Sequence, residues 1–90
     1  MRRNARVDTN HIMIVDALRN VGASVVSLAP MGRGVPDLLV GFRGVNYLLE
    51  VKREKGKLTA DQTAFIATYN GRVYVVRTVD EAYSVIGVLA

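Results

Sequence analysis

The chain has no cysteine, one histidine and only two prolines among its 90 residues. Without cysteine there is no disulfide framework, no thiolate nucleophile and no sulfur ligand for a metal. No apolar run approaches the length of a membrane span. The basic opening MRRNARVDTN lacks the apolar core of a signal peptide, so a cytosolic protein without membrane attachment is expected. The Gly-rich stretch Met31-Gly32-Arg33-Gly34 lacks the Gly-Lys-Ser/Thr ending of a phosphate-cradling loop, and no GxGxxG is present, which excludes a nucleotide cofactor. Internal repeats and low-complexity segments are absent as well.

What is present is apolar and basic. Half of the residues are hydrophobic, a high share for a single domain covering 1–90, so part of that surface is a candidate for burial between subunits. A formal charge of +4 points to an anionic partner, nucleic acid or an acidic membrane surface, although a soluble basic domain needs no such partner.

Taken in order, residues 1–7 carry Arg2, Arg3 and Arg6 without periodicity and read as a flexible basic arm able to touch phosphates. Asp8, Thr9 and Asn10 are N-cap candidates for a helix to about Asn20, with Ile12, Val15 and Leu18 as its buried stripe and Ile14, Ala17 and Val21 widening it. His11 falls on the polar side of that helix. Ala23 to Leu28 reads as a short strand closed by Ala29-Pro30. Thr59 followed by Gln62 has capping-box spacing and opens a second helix to about Tyr69, with Ala64, Phe65 and Tyr69 toward the core. Arg72 to Arg77 is a strand, and Thr78 or Asp80 caps a last helix from Glu81 to about Ile86. The apolar tail that follows packs either on the sheet or against a second subunit.

The stretch from Gly34 to Lys52, GVPDLLVGFRGVNYLLEVK, organises the rest. It reads as two strands around an Arg43-Gly44 turn. Alternation puts Leu48, Glu50 and Lys52 on one face and Tyr47, Leu49 and Val51 on the other. If Arg43-Gly44 is a two-residue hairpin turn, Phe42 pairs with Val45 and Asp37 falls opposite Glu50. A four-residue loop keeps this register; a three-residue loop puts Leu49 opposite Asp37 unless a bulge corrects it. Facing carboxylates with Cβ atoms about 5 Å apart repel unless a cation lies between them. Oxygen ligands in a chain without cysteine favour Mg²⁺ or Mn²⁺ over zinc. Lys52 projects into the same site, and the pattern suits metal-dependent phosphodiester cleavage.

The basic loop Arg53-Glu54-Lys55-Gly56-Lys57 comes next, and with Arg33 it offers phosphate contacts where solvated surface is the plain reading. Asp8 is explained by capping alone, or as a third acid reaching the metal. Gln62 is explained as a cap partner, or as a residue lining the site.

With Pro36-Asp37 and Glu50-Val51-Lys52 set in an αβββαβ order, the chain resembles the PD-(D/E)XK nuclease superfamily. The Gly34-Val35-Pro36-Asp37 lead-in, the Leu-Leu-Glu-Val-Lys strand and the Leu58-Thr59…Gln62 helix start are similar to its VRR-NUC branch. This resemblance implies a restriction-endonuclease-like α/β fold, a mixed sheet flanked by helices. It implies metal ligation by Asp37, Glu50 and the Val51 carbonyl, with Lys52 on the attacking water and Gln62 in the site. An acidic residue from the first helix is also implied, with Asp8 the nearest match, Asp where Glu is usual. It further implies a DNA endonuclease selective for Holliday junctions, flaps or other branched DNA, working as a homodimer. A non-catalytic nucleic-acid-binding module and a protein-interaction module using the apolar C-terminus are the alternatives; the intact Asp37, Glu50 and Lys52 speak against both.

Overall fold

A computed structural model describes residues 9–88. Asp8 and the arm residues Arg2, Arg3 and Arg6 lie outside the described residues. The elements run α1 (Thr9–Asn20), β1 (Ser24–Ser27), a 3-10 turn (Ala29–Met31), β2 (Leu38–Phe42), β3 (Val45–Val51), α2 (Ala60–Thr68), β4 (Val73–Val76) and α3 (Val79–Ile86). The four strands form one sheet in the order β1-β2-β3-β4. The first three are an antiparallel meander and β4 joins β3 in parallel, the mixed αβββαβ sheet expected from the sequence.

The hairpin turn is the two-residue form. Arg43 and Gly44 both take positive φ (52° and 81°), the backbone that matches the twist of the flanking strands. Phe42 therefore faces Val45, and Leu38 faces Leu49. The strand alternation follows: Leu38, Val40, Leu49, Val51 and Val76 turn inward with Ile14, Leu18, Ala82 and Ile86 to form the core. Each of the larger of these side chains contributes roughly 1.5–3 kcal/mol by leaving water.

Two packing expectations are corrected. On α1 the buried residues are Ile14 and Leu18, while Ile12 is 45% exposed. Leu18 and Ile14 keep their expected places, but the stripe is shifted away from Ile12 because the helix packs against both β1 and α3. On α2 no residue is buried; Phe65 and Ile66 are half-covered, whereas Ala64 and Tyr69 are exposed. The start of this helix meets the site through Gln62, which bonds Glu50, and through the close approach of Asp61 to Gly34.

α3 starts one residue after Thr78, whose hydroxyl accepts from the Glu81 amide, and its Ile86 is buried in the core. The apolar C-terminal stretch is thus partly accounted for within the chain. No helix among the described residues is long and apolar enough to cross a membrane.

Candidate functional site

The carboxylates meet where β2 begins and β3 ends. The Leu28 amide donates to the Asp37 carbonyl at 2.7 Å, which extends the β1–β2 pairing by one residue and fixes the Asp37 backbone. Pro36 before it is fully buried. The Asp37 side chain reaches across to β3, where Oδ2 accepts from the Val51 amide at 2.9 Å. Asp37 thereby sits beside Glu50, as the two-residue turn requires.

Glu50 is the one buried charged residue in the described chain, 2% exposed. Its Oε2 accepts from Gln62 Nε2 at 2.9 Å and lies 3.7 Å from Lys52 Nζ. Its Oε1 is buried and has no partner. Burial, and after it the nearby Asp37, push the Glu50 carboxyl up to about 7 against the opposing effect of Lys52. An acid in this position holds its proton near neutrality unless a cation takes the proton's place.

Gln62 performs both of the roles its position allowed. Its Oε1 accepts from the Thr59 amide while Thr59 Oγ1 accepts from the Gln62 amide, a complete capping box. Its Nε2 is left to hold Glu50. The approach of α2 to the Asp37 lead-in depends on Gly34. At its φ of +80° an added Cβ would collide with the Asp61 carbonyl and stand 2.9 Å from the Gln62 amide nitrogen. The glycine two residues before Pro36 is therefore a packing requirement of the site, with no side chain possible there.

Two residues that sequence reasoning missed brace the end of β3 and the loop after it. Asn10 Nδ2 donates to the Lys52 carbonyl at 2.8 Å, tying the start of α1 to the residue after β3. Arg77 donates through Nη2 to the Gly56 carbonyl at 2.8 Å and fixes the Arg53–Lys57 loop beside the site. The first contact spans 42 residues and the second 21, so neither had a local signal. Arg33 (φ 58°), Arg53, Lys55 and Lys57 are all exposed, with the last three in the braced loop.

A divalent ion fits these residues. Two carboxylates, one with a buried and unpartnered oxygen, are the hard donors that Mg²⁺ or Mn²⁺ takes. Among the described residues no group of three or more His, Cys, Asp or Glu gathers in one place, so a further ligand from those residues would be a neutral oxygen such as the Val51 carbonyl.

Comparison with protein-family models finds no match, and comparison with curated proteins finds none either. Among solved structures, one described as a VRR_NUC domain is similar to this chain at a TM-score of 0.64 and 27% identity, covering 89% of this chain and 97% of its own. The mixed sheet and this similarity along most of both chains support a VRR-NUC domain.

Proposed function

We propose that this chain is a divalent-metal-dependent DNA endonuclease that hydrolyses phosphodiester bonds and selects branched DNA, a flap or a four-way junction. The observation that carries the reading is the state of Glu50: a buried carboxylate with one oxygen held by Gln62 and Lys52 and the other without any partner. A purely structural glutamate is poorly served by that arrangement, because a buried polar oxygen left without a hydrogen-bond partner costs about 1–3 kcal/mol.

Asp37, Glu50 and the Val51 carbonyl would hold Mg²⁺ or Mn²⁺. When bound, such an ion lowers the pKa of a water and neutralises charge on the scissile phosphate. Asp8 remains a proposed additional ligand. The chain's own groups do the rest. Gln62 fixes the Glu50 rotamer, so that the unpartnered oxygen points at the place to be filled. Lys52, anchored through its carbonyl by Asn10, offers an ammonium to orient the attacking water or to stabilise the developing negative charge. The loop bearing Arg53, Lys55 and Lys57, together with Arg33 and the arm residues Arg2, Arg3 and Arg6, supplies phosphate contacts that set affinity without reading sequence.

A homodimer belongs to the same proposal, since two sites related by a twofold axis would address two strands of a junction. A cytosolic setting does too. The test is incubation with labelled single-stranded, duplex, flap and four-way-junction DNA in Mg²⁺, Mn²⁺ or chelator. Cleavage of the branched forms in metal alone supports the reading. Tight binding with no product in any metal would leave a non-catalytic binding module.

A further inference from the structure

Three of the chain's four tyrosines (47, 69 and 74) line one open groove at the opposite end of β3 from Glu50. The groove exists because β3 outruns its neighbour: Val45, Asn46 and Tyr47 precede Leu48, which is the first residue paired with β4. Tyr47 and Tyr74 form one wall, their rings 6.2 Å apart and tilted by 56°. Arg72 lies over the Tyr74 ring at 5.4 Å from its centre. From the α2 side Tyr69 closes the groove, 44% exposed and stacked on Phe65 with ring centres 5.0 Å apart. Its ring rests on the backbone of Gly71, where an added Cβ would collide with it. No acidic side chain lines this groove.

We propose that this groove seats single-stranded nucleic acid, with a base stacked on the exposed Tyr69 ring and a phosphate neutralised by Arg72. The argument is one of matching chemistry. Strand-tracking sites combine aromatic faces, which stack on any base, with cations and an absence of acids. An exposed tyrosine braced from behind by a second ring offers such a face with little left to order on binding. An apolar peptide would fit Leu48 and the rings but would leave Arg72 without a counter-charge. Asn46 is four residues from Glu50 along β3, about 14 Å at the usual rise per residue, so a few nucleotides join the groove to the cleavage site. The proposal rests on the nuclease reading only in assigning that strand as the unpaired arm of a branched substrate.

The test uses the full chain carrying Lys52→Ala, in chelator, so that no strand is cut and the outcome does not depend on turnover. The protein has no tryptophan, so tyrosine emission reports the groove, with Tyr83 of α3, outside its lining, as background. Titration with oligothymidylate of roughly twelve nucleotides, within the usual site size, is expected to quench emission saturably. Oligouridylate in parallel separates DNA from RNA as the source of the strand, and blunt duplex should quench weakly. Tyr69→Ala and Arg72→Gln should each weaken the apparent affinity by about fivefold to a hundredfold, and Tyr69→Phe should retain it. Circular dichroism melts confirm that each variant is folded, and Arg72→Gln carries the test should Tyr69→Ala fail to fold. No saturable quenching by either oligonucleotide, or unchanged affinity in both the Ala and Gln variants, overturns the proposal. Failure of the cleavage assay would leave these titrations intact.

Discussion

Gln62 holds Glu50 through a 2.9 Å hydrogen bond, and the same side chain closes the capping box that starts α2. One amide group therefore couples the position of a helix to the orientation of a carboxylate. Gln62→Glu separates the two functions. The cap is retained, because a carboxylate oxygen still accepts from the Thr59 amide, but the donor to Glu50 is lost and replaced by repulsion. Cleavage should fall by about tenfold to a hundredfold, the usual effect of removing a partner that orients a ligand. Gln62→Ala should lose as much activity and about 1 kcal/mol of stability with the cap. Steady-state cleavage alongside thermal melts distinguishes the pair.

Glu50 makes metal-free stability depend on pH. Its folded-state pKa is raised from 4.5 to about 7 by burial and then by Asp37. The folded chain consequently binds that proton more tightly than the unfolded chain does. The resulting stabilisation is full below about pH 4.5 and is lost as pH rises through 7. Its size is on the order of 1–3 kcal/mol. In chelator, melting temperature should drop between about pH 4.5 and 7, and Glu50→Gln should flatten that drop. Metal competes with the same proton, so affinity should rise through pH 7 with proton release. Calorimetry in buffers of different ionisation enthalpy measures both effects, and Glu50→Ala should weaken binding outright.

Lys52 is 14% exposed and 3.7 Å from Glu50. Lys52→Ala should abolish cleavage, at least a hundredfold loss in rate constant, while DNA binding by anisotropy stays near wild type. Lost binding with intact turnover per bound complex would make Lys52 a phosphate contact instead.

Gly34→Ala pushes a methyl group into the Asp61 carbonyl from a backbone conformation that L-residues avoid. The start of α2 must move away from the Asp37 lead-in. A loss of about 2–4 kcal/mol is expected, read as a lower denaturation midpoint, with cleavage lost even in the fraction that remains folded.

Truncation after Tyr83 removes Ile86, which is 3% exposed in the core beside Ala82. The shortened chain should lose about 2–5 kcal/mol, comparable to emptying a buried aliphatic site, and should melt at far lower denaturant. A truncated chain that keeps its stability but changes sedimentation coefficient would place the tail at a subunit boundary.

Local chemistry made much of this legible in the sequence. Arg43-Gly44 can adopt the paired positive φ of a two-residue hairpin, and that choice alone sets Leu38 against Leu49 and brings Asp37 to Glu50. Thr59 and Gln62 announced a helix start by spacing, because both halves of a capping box lie within four residues. The faces of the helices were less legible. Ile12 and Ile14 both suit a buried stripe by periodicity, and only the joint packing of α1 on β1 and α3 selects Ile14. Tyr69 is placed by period toward the core, yet it falls at the C-cap of a helix that buries none of its residues, and its ring is left 44% exposed.

The sequence by itself marked the hairpin turn, the register that pairs the acids if that turn has two residues, the Thr59 cap of α2, and Thr78 or Asp80 as the cap of α3, since each follows from contacts between residues near one another or from the strict alternation of a strand. Tertiary structure alone decided that Gln62 reaches Glu50, that Asn10 and Arg77 brace the strand end and its loop, and that one oxygen of Glu50 is buried with nothing to bind. Those are meetings of side chains across elements whose separation in space no periodicity encodes, and they exist only once the core has fixed how the helices lie on the sheet.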